Sequence, residues 1–213
     1  MVFITRGSII IGGDEAAPYS LDRTSRDIPG FFISRYEVTT GEYLAFVNDI
    51  EKRIPGSAKK YLPRKSPKSG HYWKKSGNQY ENNFPAKWPV LGIAWNDARA
   101  YCKWMTHQHK KKGWVFRLPE EWEWEKAARG ADGRYFPWGN HFDFTFCSMS
   151  NSKKEKRNGP DPVGSFGPDE SIYGVMYMAG NVSEWCNTFY DQKNNILINR
   201  GAAWIYAEAD YAR

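Results

Sequence analysis

The chain has 213 residues, 41% of them hydrophobic and 16% aromatic with ten Trp, which is enough apolar side chain for a core and excludes the disordered class. The formal charge is +6, but much of the excess sits in stretches 59–75 and 153–157 with no recognition element beside it, so solvated loops are expected and nucleic acid is not. No apolar run is long enough for a membrane span or a signal h-region, which leaves the compartment open because such a domain can travel inside a longer exported protein.

In chain order, Val2–Ile4 and 8–11 alternate like strands across Arg6-Gly7 and predict a hairpin. Residues 31–33 and 36–38 predict further strands. Thr39-Thr40-Gly41-Glu42 has capping-box chemistry, a hydroxyl and a carboxylate that satisfy free backbone donors, and Tyr43, Phe46, Val47, Ile50 and Ile54 follow at helical spacing to Pro55-Gly56. The polar text of 55–89 predicts a long surface excursion. A second helix is expected over about 95–109. A third over about 120–129 has Pro119 in its first turn, acids at its positive end and Gly130 as its stop. Beyond Asp132-Gly133 the text is short and Gly- and Pro-punctuated, with 196–198 and 203–205 as late strands. The sum is one α+β domain over 1–213 with little regular structure.

Cys102, Cys147 and Cys186 are odd in number and widely spaced, which fits buried reduced thiols rather than a zinc or disulfide framework. His107 and His109 are two apart and do not share a helix face, so a non-haem iron site is not supported. Asp143, Asp161, Asp169 and Glu170 lie in loop text without a partner of matched spacing, so no catalytic residue is assigned.

Several segments occur together in order: Arg35-Tyr36-Glu37-Val38-Thr39, Trp88-Pro89-Val90, Trp95-Asn96-Asp97-Ala98 and Phe116-Arg117-Leu118-Pro119. Glu123-Trp124-Glu125, Ala127-Ala128-Arg129-Gly130, Phe136-Pro137-Trp138-Gly139, Met178-Ala179-Gly180-Asn181-Val182 with Glu184-Trp185, and Arg200-Gly201 continue the series. The set resembles the formylglycine-generating-enzyme (sulfatase-modifying-factor) family and implies a C-type-lectin-like fold with a ligand-bearing surface near the C-terminus. Family members usually run on to a closing strand that this chain lacks. The oxidase members bind copper(I) with two Cys five residues apart; aligning Gly201-Ala202-Ala203-Trp204 on the family's preceding segment puts Tyr206 and Tyr211 there, and a phenol cannot stand in for a soft thiolate. The resemblance therefore implies no oxidase activity. It also implies a candidate calcium site at Gly180, Val182 and Glu184, weakened by Tyr177 where an Asn or Asp usually assists, and a second one degraded at Ser148.

What remains is a surface. Ile205, Tyr206, Ala207, Ala209, Asp210 and Tyr211 are the candidate ligand-binding residues, because Tyr among small neighbours makes a large amphipathic contact, while packing of the same Tyr residues against the chain itself is the plainer alternative. Variable proteins of diversity-generating retroelements resemble this arrangement, with a mutable C-terminal patch on the same fold. The reading is a non-catalytic ligand-binding or display module with no cofactor beyond the candidate calcium; its expected partner is a macromolecular or surface ligand of the protein class, and nucleic acid is not expected on the grounds above. A regulatory domain of a larger bacterial protein, such as a Ser/Thr kinase, and an enzyme of altered chemistry stay open as alternatives.

Overall fold

The computed structural model describes residues 1–17, 22–64, 70–152 and 158–212. The basic stretch 153–157 and part of the other one, 65–69, lie outside the described residues. The elements are β1 (Val2–Ile4), β2 (Gly7–Ile11), β3 (Thr24–Ile28), β4 (Phe31–Ile33), α1 (Thr40–Arg53), β5 (Trp73–Ser76), β6 (Gln79–Asn82), α2 (Trp95–Gln108), α3 (Glu121–Arg129), β7 (Glu184–Asp191) and β8 (Ile196–Arg200), joined by long irregular segments and short 3-10 turns. The three expected helices form. Among the described residues the strands make four separate antiparallel pairs, β1–β4, β2–β3, β5–β6 and β7–β8.

The chain divides into two compact units, Val38–Leu118 and the combination of Met1–Glu37 with Pro119–Arg213. Within Val38–Leu118, the expected capping box starts α1: the Glu42 N–H donates to Thr39 Oγ1 at 3.2 Å and the Thr39 N–H to Glu42 Oε2 at 2.8 Å. Tyr43, Phe46 and Val47 on one face of α1 pack with Tyr101 of α2. The 55–89 segment is more than a surface excursion. It contains the β5–β6 hairpin, and Trp73 and Tyr80 enter the same cluster while Lys74 and Glu81 face water and Lys75 reaches Glu51 Oε1 at 2.6 Å. The Lys-rich composition of its outer face hides that alternation from a reading of average polarity.

In the other unit, β1 and β2 do not form the expected hairpin. Val2 pairs with Ile33 and Gly7 with Ile28, so the two strands diverge at Thr5-Arg6. The cause is a buried lysine: Lys126 of α3 donates its Nζ to the Thr5 carbonyl at 2.8 Å and the Gly7 carbonyl at 2.9 Å, and both groups are thereby withdrawn from a hairpin ladder. Ile4 then packs with Trp124 and Cys186, and Ile9 with Ile11 and Ile28. Strands from the two ends of the sequence meet there through shared side chains, since Val2, Ile33 and Ile198 pack on the Ile4 cluster.

Helix α3 is nine residues long and buried over eight of them, charged ones included. Pro119 lies outside the helix rather than in its first turn: Glu120 is the N-cap, its N–H donating to Glu123 Oε2 at 2.8 Å, and the Pro119 carbonyl accepts from Asn187 N–H. Every buried charge on α3 that faces inward is answered. Glu125 accepts from Arg129 at 2.5 Å, from Arg200 at 2.9 Å and from the Gly12 N–H at 3.0 Å, while Glu121 pairs with Arg200 at 2.7 Å. Gly130 ends the helix at φ 77°, and a Cβ there would stand 2.7 Å from Ile172 Cδ1.

The segments 36–38 and 203–205, expected as strands, form none, and their backbone groups bond to loops: the Val38 carbonyl accepts from Val90 N–H, and Trp204 N–H donates to the Asn181 carbonyl. Lys126→Met keeps the volume and apolar stem but leaves two carbonyls without their donor. We expect it to cost about 2 kcal/mol of unfolding free energy, measured by urea denaturation, whereas the same change at solvent-facing Lys74 should cost less than about 0.5 kcal/mol.

Candidate functional site

Residues 201–212 lie over a small core of Phe136, Cys147, Met149, Ala179, Ala202 and Ala212. Small side chains at 202 and 212 let the loop close onto this core. The Tyr206 ring packs on its edge together with Trp138 and Phe142. The loop is held by backbone bonds: Tyr206 N–H donates to the Ala203 carbonyl at 2.9 Å, and Ser150 N–H to the Tyr206 carbonyl at 2.9 Å. A 3-10 turn, Ala209–Ala212, then brings Tyr211 back over Tyr206, with ring centroids 4.4 Å apart and planes 13° from parallel.

The six sequence-selected surface residues fall on one continuous loop but not in one environment. Ile205 is 60% exposed and Tyr211 42%, and Asp210 is also open to solvent. Tyr206, Ala207 and Ala209 are half-buried, and so is Trp204. Sequence reasoning missed the aromatic margin of the same core. Phe136 stacks on Trp138 at 5.5 Å and 7°, Trp138 meets Phe146 edge-on at 5.6 Å, and Phe146 is 40% exposed. The run of Phe142, Phe144 and Phe146 at alternate positions was the available signal.

Cys147 belongs to this core, fully buried, and burial pushes its thiol up to about 12. It is therefore a protonated apolar side chain rather than a thiolate ligand.

Gly180, Val182 and Glu184 lie on the segment leading into β7. A Cβ on Gly180 would stand 2.6 Å from the Ser148 backbone nitrogen, so only glycine permits this approach. The Gly180 carbonyl accepts from Val182 N–H at 3.0 Å, and Glu184 Oε2 accepts from Trp124 Nε1 at 2.6 Å. Tyr177 sits at φ 64° and its phenol is committed to another loop, accepting from Phe166 N–H at 2.8 Å and donating to the Pro162 carbonyl at 3.1 Å. Ser148 Oγ donates to Asp161 Oδ2 at 2.8 Å. Calcium takes six to eight oxygens. The Gly180 and Val182 carbonyls and the Glu184 carboxylate supply fewer oxygens than that, and Gly180 and Glu184 each already accept a hydrogen bond. Among the described residues no group of three or more His, Cys, Asp or Glu is placed to hold a metal ion.

Burial raises the carboxyl groups at this place. Asp169 is fully buried, its carboxylate accepting from Ala179 N–H at 3.1 Å, and loss of water raises it to about 7 despite that bond. Glu184 is likewise raised to about 7 by loss of water around its carboxyl group. Burial also lifts Glu37 well above the ordinary range, with the charge of Glu184 adding to it, and Glu37 Oε2 is buried without a hydrogen-bond partner.

With this geometry in hand, the comparisons are specific. The profile described as Sulfatase-modifying factor enzyme 1-like domain matches residues 1–213. "Inactive C-alpha-formylglycine-generating enzyme 2" of Bos taurus is 39% identical over 130 residues, 56% of this chain and 39% of that protein. "Serine/threonine-protein kinase Pkn1" of Chlamydia trachomatis serovar L2 is 29% identical over 191 residues, 89% of this chain and 28% of that protein. The chain thus spans less than half the length of these curated relatives. The solved "Structure of PvdO from Pseudomonas aeruginosa" superposes with a TM-score of 0.68 at 23% identity, covering 99% of this chain and 84% of that one, which shows the same mixed fold of few helices and short strands.

A carboxyl raised in the folded state favours folding below its unfolded value near 4 and disfavours it once the pH passes about 7. Stability should therefore fall between about pH 4.5 and 7.5 and level off above. Asp169→Asn, whose amide oxygen can still accept from Ala179 N–H, should flatten that fall when thermal melts are recorded across the range. Millimolar calcium at pH 8 should leave the wild-type melting temperature unchanged.

Proposed function

The chain belongs to the sulfatase-modifying factor enzyme 1-like family, and on that footing we propose that it is a non-catalytic member whose residues 205–211 display a ligand-contacting face, with residues 1–213 forming one family domain. The observation that carries this reading is the Tyr206–Tyr211 stack, 4.4 Å between centroids, at the two positions where the alignment of Gly201–Trp204 puts the oxidase cysteines. Two side chains five residues apart meet face to face there, which is the convergence a two-thiolate copper site needs, and both supply phenols. A phenol with a pKa near 10 offers copper(I) no soft anion at neutral pH. The one nearby thiol, Cys147, is buried and protonated.

The exposure of Ile205, Asp210 and Tyr211 on a loop pinned at Ala203, Ser150 and Asn181 supports display on a rigid base. Rigid aromatic side chains contribute contact area at low entropic cost. We assign the partner to the protein class. Within this reading the finer identity is a variable protein of a diversity-generating retroelement, marked by a reverse transcriptase and a near-identical template repeat in the adjoining DNA. The alignment with the kinase Pkn1 over 89% of this chain favours a second reading, a regulatory domain within a larger protein, which a kinase domain upstream would mark.

Two measurements test the proposal. Purified protein should neither bind copper(I) tightly nor convert a Cys-containing sulfatase peptide to the aldehyde; turnover would overturn it. Because Tyr211 is 42% exposed and Tyr206 packs on the Cys147 core, Tyr211→Ala should cost about 1 kcal/mol of stability or less and Tyr206→Ala about 2–3 kcal/mol in thermal melts. A loss of about 3–5 kcal/mol in both would make the pair a structural core and remove the display face.

A further inference from the structure

Among the described residues, a one-sided basic surface lies outside the displayed loop and its core. Between Asp97 and Glu120 the sequence contains no acid and six cations: Arg99, Lys103, Lys110, Lys111, Lys112 and Arg117. Helix α2 ends at Gln108, and Lys110–Lys112 form a 3-10 turn closed by Gly113 at φ 68°. All of residues 110–115 are exposed. At the tip stand two apolar side chains, Trp114 at 47% exposure and Val115 at 79%, the most exposed large hydrophobic residue described. One lysine would answer the negative end of the α2 dipole. Three lysines beside an uncovered Trp-Val tip need a different reason.

Local packing gives the tip a fixed form. The Trp114 ring lies on His109 at 5.7 Å and 11° from parallel, and the Lys112 ammonium stands 4.8 Å from its centroid. His109 Nδ1 is 3.0 Å from the Met105 carbonyl, and Phe116 tucks under, its N–H donating to Thr106 Oγ1 at 2.8 Å. Val115 is thus held outward between an anchored Trp and an anchored Phe. The carboxylate at this end of α2, Asp49, is already paired with Arg53 at 2.9 Å and accepts from Trp104 Nε1 at 2.7 Å, so it does not neutralise the lysines.

We propose that the tip formed by Lys110–Lys112, Trp114 and Val115 is an interfacial anchor for an anionic lipid bilayer. Trp favours the headgroup level, an uncovered aliphatic side chain gains by entering the acyl boundary, and lysines beside them are drawn to anionic headgroups. A nucleic acid would use the flat face of Trp114, which here already engages His109 and Lys112, and would gain nothing from Val115. The charge pattern alone suits either partner. The outward Val115 selects the lipid.

Flotation of the full chain with two kinds of vesicle tests this, one of phosphatidylcholine alone and one containing about a third phosphatidylserine. The protein should float with the second only, and less so as salt rises. Lys110→Glu with Lys111→Glu and Lys112→Glu should weaken binding roughly tenfold or more, and Val115→Asp alone should weaken it about fivefold or more. Thermal melts of these solvent-facing variants should match the wild type, which separates lost binding from lost folding. A wild-type protein that does not float, or a Val115→Asp variant that floats like wild type, overturns the proposal. So does a labelled single-stranded oligonucleotide bound more tightly than the vesicles with Val115→Asp unaffected.

Discussion

The irregular half of this protein depends on the side chain and backbone of Asn181. The residue is fully buried at φ 74°, a left-handed conformation that Asn tolerates better than most residues. Its N–H donates to the Ser148 carbonyl and its carbonyl accepts from Trp204 N–H, both at 2.8 Å. Its amide oxygen accepts from Asp161 N–H at 2.7 Å, and its amide nitrogen donates to Glu37 Oε1 at 2.9 Å and to the Asp161 carbonyl at 3.3 Å. Four loops that lack a common ladder are tied at one residue. In a unit with so little regular structure, buried backbone groups must find side chains, and a short amide that both donates and accepts is suited to that place.

The same demand explains the unusual number of charges inside. Helix α3 buries Glu121, Glu123, Glu125, Lys126 and Arg129, and Arg200 from β8 closes against Glu121 and Glu125. There, opposite charges meet with short contacts, and removing one partner would strand the other in a dry place. Around Asp169, Glu184 and Glu37 the solution differs: among the described residues no cation pairs with them, and burial raises all three carboxyl groups toward the neutral form. Two neighbouring regions of one core thus satisfy buried carboxyl groups by different means, one by arginine and one by neutralisation.

Legibility from sequence followed the range of the interactions. The helices were readable because their signals are local: Thr39 and Glu42 cap α1 as their spacing suggests, and Gly130 stops α3. The partner of β1 was not readable, because it is set by Lys126, which is more than a hundred positions away and looks like any surface lysine in the sequence. The β5–β6 hairpin was hidden because its outward lysines dominate the composition of a segment whose Trp73 and Tyr80 face inward. At the candidate site, the loop residues were found through family resemblance, but the stacking of Tyr206 on Tyr211 depends on the Ala209–Ala212 turn, for which the sequence carries only small residues. The charge at the end of α2 is inconspicuous in the sequence because its three lysines are fewer than the cations of the stretches 59–75 and 153–157.

The bonds from Lys126 to the carbonyls of Thr5 and Gly7 join positions 121 and 119 residues apart. During synthesis, the whole of Val38–Leu118 leaves the ribosome before α3 exists, so that unit has every residue of its own core early. The strands at the beginning of the chain do not. Ile4, Ile9 and Ile11 emerge ahead of that unit and stay without Trp124, Lys126 and Ile198 until more than a hundred further residues have been made. At the usual pace of translation that is a wait of roughly ten seconds or more, with strand edges uncovered. The strands ahead of Val38–Leu118 are therefore buried after it, and they are the segment on which a chaperone would act.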